Sequence, residues 1–178
     1  MPDFSSINVV EFNELLMGIK QDNKRAFELL YIKYAERIYY AAYAYVGKLG
    51  LAEDVVNEIM LKIIKLSKKS KYINNPGAWL FAITKNYCLN LLKKNKKLIL
   101  CSDIYIQDNF DIAESESMFK DHLECLDEKE KLVIVLKISF GYTIKEIANE
   151  LKMSESCIEK IFFKAKENGG IQRFCVCK

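Results

Sequence analysis

A chain of 178 residues is long enough for one medium domain or two small ones, and its 51% hydrophobic and 29% charged residues exclude a disordered protein. The longest apolar run, residues 38–47, is too short to cross a bilayer, and acids interrupt the N-terminal stretch. We therefore expect a cytoplasmic protein with neither a signal peptide nor a membrane partner. The net charge of +3 combines residues 1–97 at +7, residues 98–122 at −5 and residues 123–178 at +1.

Apolar residues recur every three or four positions and the chain has only two prolines, so an all-α fold is predicted. Residues 1–97 should form a first domain of four helices near 7–20, 24–46, 51–68 and 76–97. Gly47 and Gly50 are expected to end the second helix. Asn75 followed by Pro76 predicts the start of the fourth, because Asn caps helices and Pro favours their first turn. The basic charge of this domain suggests a polyanionic partner.

Residues 98–122 lose the helical periodicity and gain acids, so they are predicted to be a linker that is extended and partly ordered on a partner. A second small domain follows at residues 123–170. Asp127 and Glu130 should cap a helix that runs to Phe140, with Gly141 at its end. Residues 171–178 form a tail without a predicted role.

Residues 143–166 have the pattern of two short helices joined by a tight turn. Thr143 and Glu146 form a capping box before the first helix, and small Ala148 suits close packing of two helices. A break at residues 152–153 precedes Ser154, which can cap the second helix. The pattern indicates a helix-turn-helix, whose second helix normally enters a DNA major groove.

The predicted helix 76–97 has two contrasting sides. Leu80, Ile83, Tyr87 and Leu91 are expected to be buried, and the opposite side carries Asn86, Asn90, Lys93 and Lys97. Amides can read base edges and lysines neutralise phosphates, so this side suits nucleic acid. A solvated polar face explains the same pattern equally well.

Aromatic residues lie beside this basic helix. Phe81 is expected in the core, whereas Trp79, the only tryptophan, is the better candidate for stacking on an unpaired base. Flipped bases are held by amides and by stacking, which makes the preceding loop a candidate base-binding segment through Lys71, Tyr72, Asn74 and Asn75.

The helix 51–68 begins with Glu53, Asp54, Asn57 and Glu58. Acids in a first turn stabilise the helix dipole without any partner. Alternatively, these side chains form an acidic patch for a basic protein surface.

Six cysteines and one histidine offer little basis for catalysis or metal binding. His122, Cys125, Cys175 and Cys177 can be drawn as a metal site, but no C-x-x-C pair supports it. The cysteines are expected to be reduced thiols. We therefore predict no catalytic residue, no metal and no cofactor.

Two segments together resemble a known family. Residues 24–97, including FELLYIKYAERIYYAAYAYVG, LAEDVVNEIMLKIIK and PGAWLFAITKNYCLNLLKKNKK, are similar to region 2 of bacterial RNA polymerase sigma factors of the extracytoplasmic-function (ECF) type of the sigma-70 family. Residues 126–167 resemble region 4 of the same proteins. The order of the segments and the linker between them match the family, and about two-thirds of the chain is covered.

The resemblance implies a sigma factor that directs core RNA polymerase to promoters, with the chemistry left to the polymerase. It implies docking on the β′ clamp helices through Glu53, Asp54, Asn57 and Glu58, and a linker that passes through the polymerase cleft. The second domain would contact the β flap and the −35 element, and an anti-sigma factor is a further candidate partner. For the −10 element the resemblance points to Lys71, Tyr72, Asn74, Asn75, Trp79, Lys85, Asn86, Asn90, Lys93, Lys94 and Lys97. For the helix-turn-helix it points to Thr143, Ser154, Ser156, Glu159, Lys160, Lys164 and Lys166.

The chain departs from the family at some of these positions. Asn57 replaces a glutamine, which is a small change. Ile161 and Phe163 stand where many relatives have arginine and histidine, so at least one of Phe162 and Phe163 is expected to be exposed or to pack on another domain. Two alternatives fit the sequence less well. A helix-turn-helix regulator that does not bind polymerase leaves residues 1–97 unexplained, and an enzyme lacks any supporting motif.

Overall fold

The computed structural model describes residues 7–69, 71–99 and 123–168, with side chains for all of these except 95–99 and 168. Every regular element in these ranges is helical, which confirms the all-α prediction. The helices are α1 (Val9–Lys20), α2 (Lys24–Val46), α3 (Leu49–Ser67), α4 (Pro76–Ile99), α5 (Glu128–Ile134), α6 (Ile144–Leu151) and α7 (Glu155–Asn168), and a π-helical turn (Val135–Ser139) follows α5.

The first four helices begin and end where local chemistry requires. Asn23 accepts hydrogen bonds from the backbone N–H groups of Arg25 and Ala26 and so caps α2. Gly47 ends α2 in the left-handed conformation, with φ of 66°. The prediction that Gly50 also helps to end α2 was wrong. Gly50 lies in the first turn of α3, two residues before Ala52, whose side chain is buried in the core.

Helix α2 forms the centre of the molecule. It contacts α1, α3 and α4, and its residues Leu30, Ile38, Ala41 and Ala42 are fully buried. Small alanines let neighbouring helices approach α2 closely, while the long side chains of its neighbours fill the remaining volume. The four-helix arrangement of the first segment is therefore organised around one central helix.

The second segment starts with the predicted capping box. Asp127 accepts hydrogen bonds from the backbone N–H groups of Lys129 and Glu130, and the Glu130 carboxylate accepts one from the N–H of Asp127. The predicted single helix to Phe140 was wrong in its last turns. The α-helix gives way to the π-helical turn at Val135, and Gly141 then reverses the chain with φ of 71°.

The two segments pack directly against each other. The Arg37 guanidinium, only 5% exposed, donates a 2.5 Å hydrogen bond to the carbonyl oxygen of Ser139 in the π-helical turn. The ring of Phe81 contacts Phe140 and Tyr142 edge-on, with centroids 5.5 and 5.9 Å apart. The described parts of the predicted domains 1–97 and 123–170 therefore share one interior.

The predicted linker at 98–122, His122 and the tail at 171–178 lie outside the described residues, apart from the last turn of α4, which reaches Ile99. No helix in the described ranges has the length and apolar character needed to cross a membrane.

Candidate nucleic-acid interface

Helix α4 presents an amide-rich surface. Asn75 caps it by accepting a 3.0 Å hydrogen bond from the N–H of Ala78. We use the name amide row for Asn86 and Asn90 together with the lysines that follow them, Lys93 and Lys94; all four side chains are exposed. Asn86 and Asn90 therefore lie on the exposed side of α4, as predicted. The side chain of Lys97 lies outside the described residues.

The buried side of α4 is rotated from the predicted one. Leu80 is fully buried as expected, but Thr84 and Cys88 complete the buried stripe. Ile83, Tyr87 and Leu91 are only half-buried. Thr84 is tolerated inside because its hydroxyl donates a 2.9 Å hydrogen bond to the carbonyl oxygen of Leu80.

The loop at 71–75 combines exposed side chains with a fixed backbone. Lys71, Tyr72, Asn74 and Asn75 are all exposed, and Tyr72 retains 60% of its accessible surface. Between them, Ile73 is buried and acts as an anchor. The predicted base-binding side chains therefore project from a loop that is held in place at its middle.

Sequence reasoning missed the residue that holds this loop. Asn13 on α1 clamps Ile73: the Ile73 N–H donates to Asn13 Oδ1 at 2.8 Å, and Asn13 Nδ2 donates to the Ile73 carbonyl oxygen at 2.9 Å. The two bonds span 60 positions in the chain. An asparagine in the middle of a helix was the only available signal, and it did not identify the partner.

A groove of about 600 Å³ lies between α1 and this loop. Its lining is mostly apolar, and it includes Val10, Met17 and Lys20 of α1 with Lys71 and Tyr72 of the loop. The aromatic ring and the apolar side chains suit a planar base, and the two lysines, which outnumber the single carboxylate of Glu14 in the lining, suit an attached phosphate.

Two other predicted DNA-binding residues lie in different surroundings. Trp79 is half-buried and its ring meets Phe12 edge-on at 5.9 Å, so part of the indole belongs to the core. Lys85 forms an ion pair with Glu150 of α6 and thereby links the two segments. The side chains of Trp79 and Lys85 therefore do not form part of the exposed surface that contains the amide row.

The acidic patch, which we define as Glu53, Asp54, Asn57 and Glu58, lies on α3 with all four side chains exposed. It lies on a helix that packs against α4, and its charges act on Tyr87 of α4. The pKa of Tyr87 is raised first by partial burial and then by the charges of Glu58 and, more weakly, Asp54. The acidic patch is therefore close to the helix that carries the amide row.

The helix-turn-helix forms as predicted, and two of its predicted DNA-binding residues act as caps. The N–H of Thr143 donates to Glu146 Oε2 at 2.8 Å, and the N–H of Glu146 donates to Thr143 Oγ1 at 3.2 Å. The hydrogen bonds that the N–H and the hydroxyl of Thr143 donate to the Glu146 carboxylate lower the pKa of that carboxyl. Lys152 makes the turn in the left-handed conformation, and Ser154 accepts a 3.4 Å hydrogen bond from the N–H of Cys157.

The remaining predicted residues of this unit are on α7. Ser156, Glu159 and Lys160 are exposed, and Lys166 is half-buried. Lys164 turns toward α5, where its ammonium lies 2.8 Å from the buried carboxylate of Glu130. That ion pair raises the pKa of Lys164 and ties the second helix of the motif to α5.

Three apolar residues in the middle of α7 differ in how far they are buried. Ile161 and Phe162 are half-buried, whereas Phe163 is 62% exposed. The rings of Phe162 and Phe163 meet edge-on with centroids 6.2 Å apart. One of the two phenylalanines, Phe163, is thus on the surface, as the sequence predicted.

Within the described residues, no group of three His, Cys, Asp or Glu side chains is arranged to hold a metal ion. Of the four residues drawn as a metal site from the sequence, Cys125 alone is described, and it is exposed. His122, Cys175 and Cys177 lie outside the described residues.

Comparison with known proteins shows which family and which individual proteins the chain resembles. The family model for sigma-70 region 2 matches residues 30–98, which include α3, the loop and nearly all of α4. The chain is 22% identical over 150 residues to the ECF RNA polymerase sigma factor SigX of Bacillus subtilis (strain 168), covering 76% of this chain and 77% of that protein. It is 22% identical over 174 residues to the ECF RNA polymerase sigma factor BldN of Streptomyces coelicolor (strain ATCC BAA-471 / A3(2) / M145), covering 92% of this chain and 65% of that protein.

Among solved structures, the chain resembles that of CnrH in complex with the cytosolic domain of CnrY. The TM-score is 0.54 at 20% identity, and the match covers 94% of this chain and 99% of that one. At this identity the likeness concerns the fold alone. Residues 30–98, which carry the acidic patch and the amide row, thus match sigma-70 region 2, and the chain is similar over most of its length to two ECF RNA polymerase sigma factors.

Proposed function

We propose that this protein directs core RNA polymerase to specific promoters and starts DNA-templated transcription there. The observation that carries the proposal is the exposed amide row on α4, next to a clamped loop with an exposed tyrosine. This surface lies inside the segment matched to sigma-70 region 2. The comparisons favour this function over a helix-turn-helix regulator that does not bind polymerase.

The acidic patch is the proposed docking surface for the β′ clamp helices of polymerase. Its side chains are exposed on one side of α3, while Ala52, Val55 and Ile59 anchor the other side in the core. A fixed helix that displays acids can meet a basic protein surface without rearranging. Charge complementarity of this kind selects the partner and speeds association.

The amide row and the loop are the proposed contacts with the −10 element. Asn86 and Asn90 can each form two hydrogen bonds with an adenine edge, and Lys93 and Lys94 can neutralise phosphates. The groove between α1 and the loop has the size and lining to receive a base that has left the duplex. Stacking on Tyr72 would favour such an unpaired base.

The helix-turn-helix is the proposed reader of the −35 element and contact of the β flap, with the segment 98–122 passing through the polymerase cleft. Ser156, Glu159 and Lys160 are exposed on α7 and can reach base edges. Thr143 and Ser154 shape the motif as caps, so their role in DNA binding is indirect.

The protein itself performs no catalytic step in this proposal, because the polymerase supplies the active site and its metal. It acts in the cytoplasm, where polymerase and DNA are found. CnrH was solved in complex with the cytosolic domain of CnrY. By analogy in fold, we propose that an anti-sigma protein also binds this chain.

Run-off transcription with core polymerase tests the function. Genomic fragments are transcribed with core alone, with core plus the full chain, and with core plus the Asn86→Ala, Asn90→Ala double variant. The wild-type chain should produce discrete promoter-dependent transcripts, and the double variant should produce far fewer while still co-purifying with core. A chain that binds promoter DNA specifically but never co-purifies with core would instead support the regulator alternative.

A further inference from the structure

Phe163 is an aromatic side chain in an unusual place. It keeps 62% of its accessible surface, more than Phe12, Phe81 or Phe140, which are all buried. It lies near the middle of α7, the second helix of the helix-turn-helix. Burial of apolar surface is the main favourable term in folding and in most association, so this exposed ring can contribute to affinity when α7 binds a partner.

The orientation of α7 places Phe163 on the outer side. At 100° per residue, Ser156, Lys160 and Phe163 lie within about 60° of one another around the helix axis, and all three are exposed. Ile158 and Ala165 point the opposite way and are fully buried. Phe163 is therefore on the same face as the polar residues expected to reach base edges.

The charges on α7 do not favour a mainly electrostatic grip on DNA. The helix contains three lysines and three glutamates, and one of the lysines, Lys164, is already paired with Glu130. Phosphate neutralisation requires an excess of cations, which this face lacks. Contacts with the base edges are therefore an important source of affinity for this helix.

The major groove offers one apolar group, the 5-methyl group of thymine, and phenylalanine is among the side chains that contact it. We propose that Phe163 is a specificity-determining residue that packs on thymine 5-methyl groups in the upstream promoter element. Lys160 and Phe163 are separated by about 4.5 Å along the helix axis, so they face neighbouring base pairs. This inference rests on the proposed function, since it requires that the helix-turn-helix reads promoter DNA.

Thymine-to-deoxyuridine exchange provides the test, because it removes the methyl group and leaves base pairing unchanged. Holoenzyme made from core polymerase and the full chain first selects promoters from a randomised DNA library. Each thymine in the upstream part of the selected promoter is then replaced singly by deoxyuridine, and holoenzyme affinity is measured. At one or two positions the wild-type affinity should fall about fourfold, the effect expected for one buried methyl group.

Three variants complete the experiment. Phe163→Ala should bind the thymine promoter more weakly and lose the response to deoxyuridine, whereas Phe163→Leu should keep part of it. Ile32→Ala removes another exposed apolar side chain, on α2 and 75% exposed, and should respond like wild type. Circular dichroism checks that each variant is folded.

Three results would contradict the reasoning. If Phe163→Ala keeps the full response to deoxyuridine, or wild type never shows one, the methyl contact is wrong. If Phe163→Ala instead weakens binding to core polymerase, or changes the oligomeric state of the chain in solution, Phe163 belongs to a protein interface. If wild-type holoenzyme selects no promoter at all, the proposed function itself fails.

Discussion

Reversing a single charge in the acidic patch, by Asp54→Lys, examines the proposed polymerase contact without disturbing the fold. Asp54 is exposed in the second turn of α3, beyond the first turn where the helix dipole has most effect. The neighbouring side chains Val55 and Val56 are buried and unchanged by the substitution. Helicity and the thermal midpoint should therefore stay close to those of the wild type.

The expected effect on binding follows from the energetics of exposed charges. An exposed ion pair contributes about 0.2–1 kcal/mol, and reversal replaces that attraction by a repulsion of similar size. The affinity for core should fall by about 2- to 30-fold, corresponding to roughly 0.5–2 kcal/mol. The difference from wild type should shrink between 0.1 and 1 M salt, since the screening length drops from about 10 Å to about 3 Å.

Fluorescence anisotropy of labelled chain titrated with core polymerase measures this affinity. Glu28→Lys, at an exposed site on α2, makes the same change in net charge away from the acidic patch and serves as the matched control. If Asp54→Lys and the control bind core equally well, or if the loss persists unchanged in high salt, the acidic patch is not the docking surface.

The remaining predictions concern the promoter contact, the join between the segments and a buried thiol. Asn90→Ala alone should reduce discrimination for the −10 element by about 5- to 150-fold in promoter-binding assays, since a bidentate base contact contributes about 1–3 kcal/mol. Arg37→Ala leaves the buried carbonyl of Ser139 without its donor, at a cost of about 1–3 kcal/mol. The thermal midpoint by calorimetry should then drop by roughly 2–10 °C. Burial raises the pKa of Cys88 to about 12, so its thiol should resist alkylation at pH 9 in the folded chain and react after unfolding. Because the unfolded chain loses this proton near pH 9, stability should decline from pH 9 to about 12, as followed by alkaline denaturation.

Each of these has a control within the chain. Leu89→Ala changes an apolar side chain next to Asn90 and should leave promoter discrimination unaltered. Arg25→Ala removes an exposed arginine and should shift the thermal midpoint by less than about 2 °C. Cys125 is exposed and should react with the alkylating reagent at pH 9 in the folded state. Equal behaviour of a test residue and its control would contradict the structural reasoning in that case.

Features that depend on a few neighbouring residues could be predicted from the sequence. Both capping boxes, at Asp127 with Glu130 and at Thr143 with Glu146, occur as predicted because the partners are three positions apart. The exposure of Asn86 and Asn90 likewise followed from helical periodicity.

Features that depend on distant partners could not be predicted in this way. The buried side of α4, which packs against α2 and α3, is rotated toward Thr84 and Cys88, and periodicity cannot tell which of two half-apolar sides of a helix is covered. The π-helical turn after Ile134 and the clamp from Asn13 to Ile73 also depend on tertiary contacts. The ion pair of Lys85 with Glu150 shows that a basic residue beside a binding surface can be engaged elsewhere.

The join through Arg37 has a consequence for any attempt to cut the protein in two. A fragment that ends before residue 123 would leave the guanidinium without the Ser139 carbonyl and expose the ring of Phe81 to water. Such a truncated product would be prone to aggregate, and its surface would misrepresent that of the intact protein. For the same reason, the two segments can separate without unfolding only when a large partner binds them. Its contacts must replace those that the Phe81 ring and the Arg37 guanidinium make across the join.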